Sequence, residues 1–308
     1  MDVPVMHARA GPLHSSRREA FWSRSDLHSH PTTSQCSMDH HLATNGSSVE
    51  LRPTQYLERK AHRNCDAKRK AALIVLNCPI KGPLHLERLY NHASFCICAD
   101  GGANRLHDLL TSQYEPSDWM KALRSLPPDL IHGDLDSLHD TVRQRYEQIG
   151  VEVSQDGDQY STDFGKCIKK VVERLPDVRD VLVLGSIGGR VDQGIGLLHE
   201  LYREQVHRHP DVRFWLFSEA SVSTLLSPGT TTISTPLESG LITPNIGILP
   251  LYGPAVLTTK GLEWDVEDWE SEMGGQVSTS NHIVAERIIV TTDKEVLFTV
   301  ERAGAAEG

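Results

Sequence analysis

The chain has 308 residues, enough for one large domain or two modest ones. A formal net charge of -10 excludes the basic footprint of a sequence-nonspecific nucleic-acid binder, and 39% apolar residues leave material for a sizeable core. No stretch reaches the roughly 18 consecutive apolar residues of a membrane span, so neither nucleic acid nor membrane is expected as a partner.

Residues 1–68 are polar and show no sustained apolar period, which predicts a disordered N-terminal extension. Arg9, Arg17, Arg18 and Arg24 are interrupted by Asp2, Glu19 and Asp26, a poor match to an acid-free transit peptide. The six cysteines include no C-x-x-C pair. Cys96 and Cys98 fall on one face of a strand, where two small buried hydrophobes are a better reading than a metal site. A reducing, cytoplasmic location is expected.

Order is predicted from the apolar run AALIVLNC (71–78). FCICA (95–99) is the next strand, followed by GGANRLHDLL at helical spacing. DLIH (129–132) is a third strand, followed by a polar helix over about 138–149. VEV leads into the amphipathic helix TDFGKCIKKVVERL. DVLVLG (180–185) is a strand, VDQGIGLLHELYREQ a helix, and VRFWLF (212–217) the last strand of this kind. Continuous apolar strands separated by helices predict a parallel sheet covered on both faces, a Rossmann-like α/β domain over 69–218. After about residue 218 the segments become short and β-branched and are broken by Gly and Pro. They predict an antiparallel β-sandwich over 219–308.

The acids of the α/β part fall at strand ends. Asp100 follows FCICA, Asp134 and Asp136 follow DLIH, Asp163 opens a helix, and Asp192 opens the helix after DVLVLG. In an open α/β sheet, ligands bind beyond the carboxyl ends of the strands, so these side chains are predicted along one edge. Helix capping is an ordinary explanation for Asp163 or Asp192 alone. It does not explain Asp134 and Asp136, whose i, i+2 spacing beside Gly133 crowds two negative charges unless a cation joins them. An oxygen-only donor set favours Mg2+. Gly101 and Gly102, with Asn104 in DGGAN, and the segment GSIGGR ending in Arg190, supply close backbone approach and an arginine fork for phosphate. Neither segment is a Walker loop or a dinucleotide fingerprint.

The motifs CADGGANRLHD, HGDLDSL, DQYSTDFGKC, LGSIGGRVDQ, GLEWDVEDW and VSTSNH, in this order, resemble the thiamine pyrophosphokinase family, especially its fungal type, over roughly residues 70–302. The resemblance implies a homodimer with active sites at the subunit interface. It further implies that ATP and thiamine are the substrates, and that the β,γ-pyrophosphoryl group moves to the thiamine hydroxyl with release of AMP. By motif, Asp134, Asp136 and Asp163 would hold Mg2+ and Asp100 would support them as part of the catalytic set. Gln159, Thr162, Lys166, Arg190 and Asp192 would serve the phosphates. Trp264, Ser278, Ser280 and Asn281 would contact thiamine. Stacking of a cation on Trp264 within the acidic stretch EWDVEDWESE is physically compatible with that role. Leu135, Gly165 and Ser186 depart from the family pattern, and Gly165 is expected to loosen its helical turn by roughly 1 kcal/mol. Two other readings remain open. One is a phosphotransferase or phosphatase with a nucleophilic aspartate, whose D-x-D normally follows the first strand of its domain rather than the third. The other is a silent relative, which would be free to lose the acids.

Overall fold

The computed structural model describes residues 49–59, 70–80 and 82–304. Two short pieces come first: strand β1 (Val49–Leu51) and a 3-10 turn at Pro53–Tyr56. The α/β part follows as β2 (Lys70–Val75), α1 (Pro83–His92), β3 (Phe95–Ala99), α2 (Gly102–Thr111), α3 (Trp119–Leu123), β4 (Leu130–Gly133), α4 (Asp140–Gln148) and β5 (Glu152–Gln155). It continues with α5 (Asp163–Arg174), β6 (Val178–Leu184), α6 (Val191–Tyr202) and β7 (Arg213–Phe217). The β part comprises β8 (Ser221–Leu226), β9 (Gly229–Ser234), β10 (Ile242–Leu249), β11 (Ala255–Lys260), β12 (Trp269–Ser271), β13 (Ser278–His282), β14 (Arg287–Thr292) and β15 (Val296–Arg302).

Strands β7-β6-β2-β3-β4-β5 lie side by side and parallel. Their side chains alternate between two apolar layers. Leu73, Val75, Cys96, Cys98, Leu182 and Trp215 face one way, toward Leu86 and Leu89 of α1, Leu106 of α2 and Tyr146 of α4. Ala72, Ile74, Ile97, Val181, Val183 and Phe214 face the other way, toward Phe164 and Ile168 of α5 and Leu201 of α6. Burial on both faces is why these strands read as unbroken apolar runs. Cys96 and Cys98 share the first layer and are both fully buried.

The sheet does not stop at the change in sequence grammar near residue 218. β8 pairs antiparallel with β7, and the order runs on through β15, β10 and β13, giving ten strands. The antiparallel arm forms one leaf of a sandwich. The other leaf is the sheet β1-β9-β14-β11-β12, whose Ile233, Leu257, Ile288 and Val290 pack in the same layer as Ile246, Ile248 and Phe298.

The expectation of disorder over 1–68 needs correction where the structure describes those residues. β1 pairs parallel with β9, and Leu51, Tyr56 and Leu57 are buried. Tyr56 makes edge contacts with His92 and Trp215, at ring-centroid distances of 5.4 and 5.9 Å. A few well-placed apolar groups suffice here because the surfaces they cover are already folded. Residues 1–48 and 60–68 of that expectation lie outside the described residues.

Candidate active site

The carboxyl ends of β3 and β4 converge through backbone geometry before any side chain acts. Asp100 leaves β3 with a positive φ of 43°, and its N–H donates to the His132 carbonyl at 3.0 Å. At the end of β4, a side chain on Gly133 would place a Cβ 2.9 Å from both Asp100 Cβ and Asp163 Oδ1. Only glycine permits that approach. The next loop turns at Leu135, whose φ is 64°. Asp136 N–H donates to Asp134 Oδ1 at 3.4 Å, and Gln155 Nε2 holds the Asp134 carbonyl at 2.8 Å.

As a result, Asp100, Asp134 and Asp136 each offer an oxygen, all within 4.8 Å of one another. Asp100 is buried, with Oδ2 accepting from Ser137 N–H at 3.1 Å and Oδ1 lacking any partner. Burial pushes its carboxyl above the usual carboxylate range, and the Asp163 charge adds to this. Hydrogen bonds from Ser137 oppose it. A buried, unpartnered carboxylate oxygen beside two more carboxylates is what a hard divalent cation satisfies. The residues present therefore fit Mg2+ by donor chemistry.

Asp163 stands beside this group rather than in it. It opens α5, whose N-cap Thr162 accepts from Gly165 N–H at 3.1 Å. Its Oδ1 accepts from Lys166 Nζ at 3.2 Å and from Asp134 N–H at 3.4 Å. Lys166 is only 3% exposed, and its ammonium also lies 3.7 Å from Asp134 Oδ2. Burial pulls its pKa down, but Asp163 and Asp134 outweigh that and the net shift is upward. Its charge is thus committed to two aspartates.

The chain leaves β2 in one lateral direction toward β3 and returns to place β6 on the other side. The loops after β2 and β6 therefore flank the crevice where nucleotides bind in such sheets. A Cβ on Gly101 would collide with Asn77, and one on Gly102 would sit 2.2 Å from the Val75 carbonyl. Gly185, with φ 77°, packs against Leu76 and Cys78 across the crevice. Asn104 spends its amide on the wall, donating to the Ser137 carbonyl at 2.7 Å and accepting from His139 N–H at 3.1 Å. Arg190 and Asp192 form an exposed ion pair at 2.5 Å, and Gln159 lies in an exposed loop. Sequence reasoning did not single out Asn77, which accepts from Arg105 Nε at 2.9 Å, or Ser137. The strand-end rule that selected the aspartates also reaches Asn77, two residues past β2.

A second concavity of about 270 Å³ opens in the β part. Trp264, Ser278, Ser280 and Asn281 all line it, together with Trp269. Trp264 is 54% exposed and lies 5.3 Å, centroid to centroid, from the His282 ring. Asn281 grips the Trp264 backbone from both sides, accepting from its N–H at 3.1 Å and donating to its carbonyl at 2.8 Å. The acidic stretch is partly consumed internally. Asp265 accepts from Gly261 and Leu262 N–H groups, and Glu263 contacts His282 at 2.6 Å.

The α/β structure thus joins a parallel sheet with a carboxylate-lined edge to a β unit with an aromatic cavity. Residues 86–214 match the family described as "Thiamin pyrophosphokinase, catalytic domain", and residues 230–297 match "Thiamin pyrophosphokinase, vitamin B1 binding domain". Among curated relatives, thiamine pyrophosphokinase 1 of Arabidopsis thaliana is 36% identical, covering 74% of this chain and 85% of that protein. Thiamine pyrophosphokinase 2 of Oryza sativa subsp. japonica is 34% identical over 84% and 96% of the two chains. The solved thiamin pyrophosphokinase from Candida albicans superposes with a TM-score of 0.69 at 27% identity, covering 83% of this chain and 94% of that one. The chain belongs to the thiamin pyrophosphokinase family.

Proposed function

We infer that this enzyme carries out its family's reaction, moving the pyrophosphoryl group of ATP to the hydroxyl of thiamine and releasing AMP, along the edge built by Asp100, Asp134, Asp136 and Asp163. The observation that carries the assignment of this edge is the approach of three carboxylates to within 4.8 Å, one with a buried oxygen lacking a partner.

Phosphoryl transfer needs positioning and charge neutralisation more than covalent chemistry. Asp100, Asp134 and Asp136 would hold Mg2+, which when bound neutralises phosphate charge. Lys166 keeps Asp163 and Asp134 in register. The loops around Gly101, Gly102 and Gly185 leave room for the nucleotide backbone to approach. Arg190, released from Asp192, presents a guanidinium fork to a phosphate. Thiamine, a cation with two rings, fits a cavity walled by Trp264 and Trp269, with Ser278 and Ser280 as polar contacts. Asn281 sets the position of Trp264 by holding its backbone.

A homodimer follows as part of the same reading. Among the described residues, no cavity-lining side chain hydrogen-bonds to the carboxylate group, and Trp264, which lines the cavity, is exposed. A second copy that brings its carboxylate edge to this cavity completes the site. A cytoplasmic location fits the free cysteines Cys78, Cys96, Cys98 and Cys167, and among the described residues no helix is long and apolar enough to cross a membrane. The test is an assay containing thiamine, Mg2+ and ATP that scores AMP and thiamine diphosphate. Phosphate release without thiamine dependence would contradict the reading.

A further inference from the structure

The carboxylate edge and the aromatic cavity leave a cluster of basic side chains unexplained, at the place where the parallel and antiparallel parts of the long sheet join. His85, in the first turn of α1, packs its ring on Phe217 at the end of β7, with centroids 5.7 Å apart. It is only 8% exposed, and neither ring nitrogen has a partner. The residue after Phe217, Ser218, accepts from Arg302 Nη1 at 2.9 Å, and the Glu219 carbonyl accepts from the same atom at 3.4 Å. Arg302, at the end of β15, is thus aimed by backbone carbonyls and not by an acid. Arg88, three residues beyond His85 on α1, has a buried Nε with no partner. Ser186 donates its N–H to the Phe217 carbonyl at 3.3 Å and buries a hydroxyl that also lacks a partner.

These groups feel one another. Burial first, then the charges of Arg302 and Arg88, push the His85 pKa down to about 3. Burial and Arg88 pull Arg302 down to about 10. Among the described residues, no carboxylate contributes to either shift. Partly buried cations without a counter-charge are costly, and buried donors without partners call for a ligand. Water satisfies a donor but does not neutralise two guanidinium groups. A tetrahedral oxyanion does both, because its oxygens accept from several forks at once.

We propose that His85, Arg88 and Arg302 form a second oxyanion site, for inorganic phosphate or the phosphate of a small monoester, at the β7–β8 junction. It ties α1 to the start of the antiparallel arm.

The test uses the full chain without Mg2+ or ATP, titrated with inorganic phosphate and, in a second arm, with methyl phosphate. Sodium chloride at matched ionic strength is the control. Binding is read by calorimetry and by the His85 imidazole NMR signals. The expected result is saturable binding that shifts the His85 signals and weakens at least tenfold in Arg88→Met. That variant is chosen because Arg88 Nε makes no hydrogen bond in the fold. Tighter binding of one anion identifies the source. AMP formation by Arg88→Met should stay at the wild-type level. A His85 signal that does not move with phosphate, a response matched by chloride, or equal affinity in Arg88→Met would each overturn the proposal. If Arg302→Met proves unstable, the Arg88 comparison still decides.

Discussion

Lys166 and Asp163, one helical turn apart on α5, form a contact of 3.2 Å in which the lysine side chain is 3% exposed and the aspartate side chain 31%. A buried cation thus sits against Asp163 and Asp134 and offsets the repulsion between these two carboxylates. Removing it leaves Asp163 and Asp134 with uncompensated repulsion. Lys166→Met is expected to lower stability by about 2 kcal/mol, since breaking a buried pair costs more than a surface one. A urea titration checks this. A midpoint equal to wild type would mean that the contact contributes nothing.

Gly165 lies between the cap Thr162 and the carboxylates of Glu200 and Glu204. A Cβ there would stand 3.4 to 3.7 Å from those atoms, an ordinary packing distance. Space is therefore available, and helix propensity favours the larger residue. Gly165→Ala is expected to raise stability by roughly 0.5–1 kcal/mol with turnover retained. A lower melting temperature would show that the turn needs glycine for another reason.

Asn281 and Trp264 act as one unit through two backbone hydrogen bonds. Trp264→Ala should raise the KM for thiamine at least several-fold while leaving that for ATP nearly unchanged. Asn281→Ala should give the same pattern, because the indole is no longer held. Steady-state kinetics with each substrate varied in turn checks both variants. Equal changes in the two KM values would remove the stacking role.

His85 supplies a pH prediction. Its folded pKa of about 3 lies below the ordinary value near 6.5, with burial the main cause and Arg302 and Arg88 adding to it. The unfolded chain therefore binds more protons in this window. The stability that depends on neutral His85 is complete above about pH 6.5 and is lost as the pH falls toward 3. In phosphate-free buffer, the stability of wild type should fall more steeply between pH 6.5 and 4 than that of His85→Leu. Parallel curves would place the imidazole in water.

Much of the site was legible because its chemistry is local in the chain. Asp134 and Asp136 crowd one turn after an apolar strand, and Asp100 follows another, so strand ends alone placed them on one edge. Partners distant in sequence were not legible. Nothing in DFGK shows that Lys166 pairs with both Asp163 and Asp134, and nothing in VSTSNH shows that Asn281 holds Trp264. The short polar strand Val49–Leu51 carries no periodicity, and only β9 gives it a place. Helix α1, opening on Pro83, is not legible for a similar reason, as its apolar residues Leu86 and Leu89 are few. The change of grammar near residue 218 is real, yet the backbone ladder from Phe217 to Val222 carries one sheet across it.

The most direct test of the carboxylate edge is AMP formation from ATP and thiamine in the presence of Mg2+, by the wild type and by Asp134→Asn, with circular dichroism and thermal melting as controls for folding. The expected result is thiamine-dependent AMP release by the wild type and a loss of at least about 100-fold in the variant, as for removal of a group that stabilises transition-state charge. An Asp134→Asn protein that is folded and releases AMP at the wild-type rate would contradict the assignment.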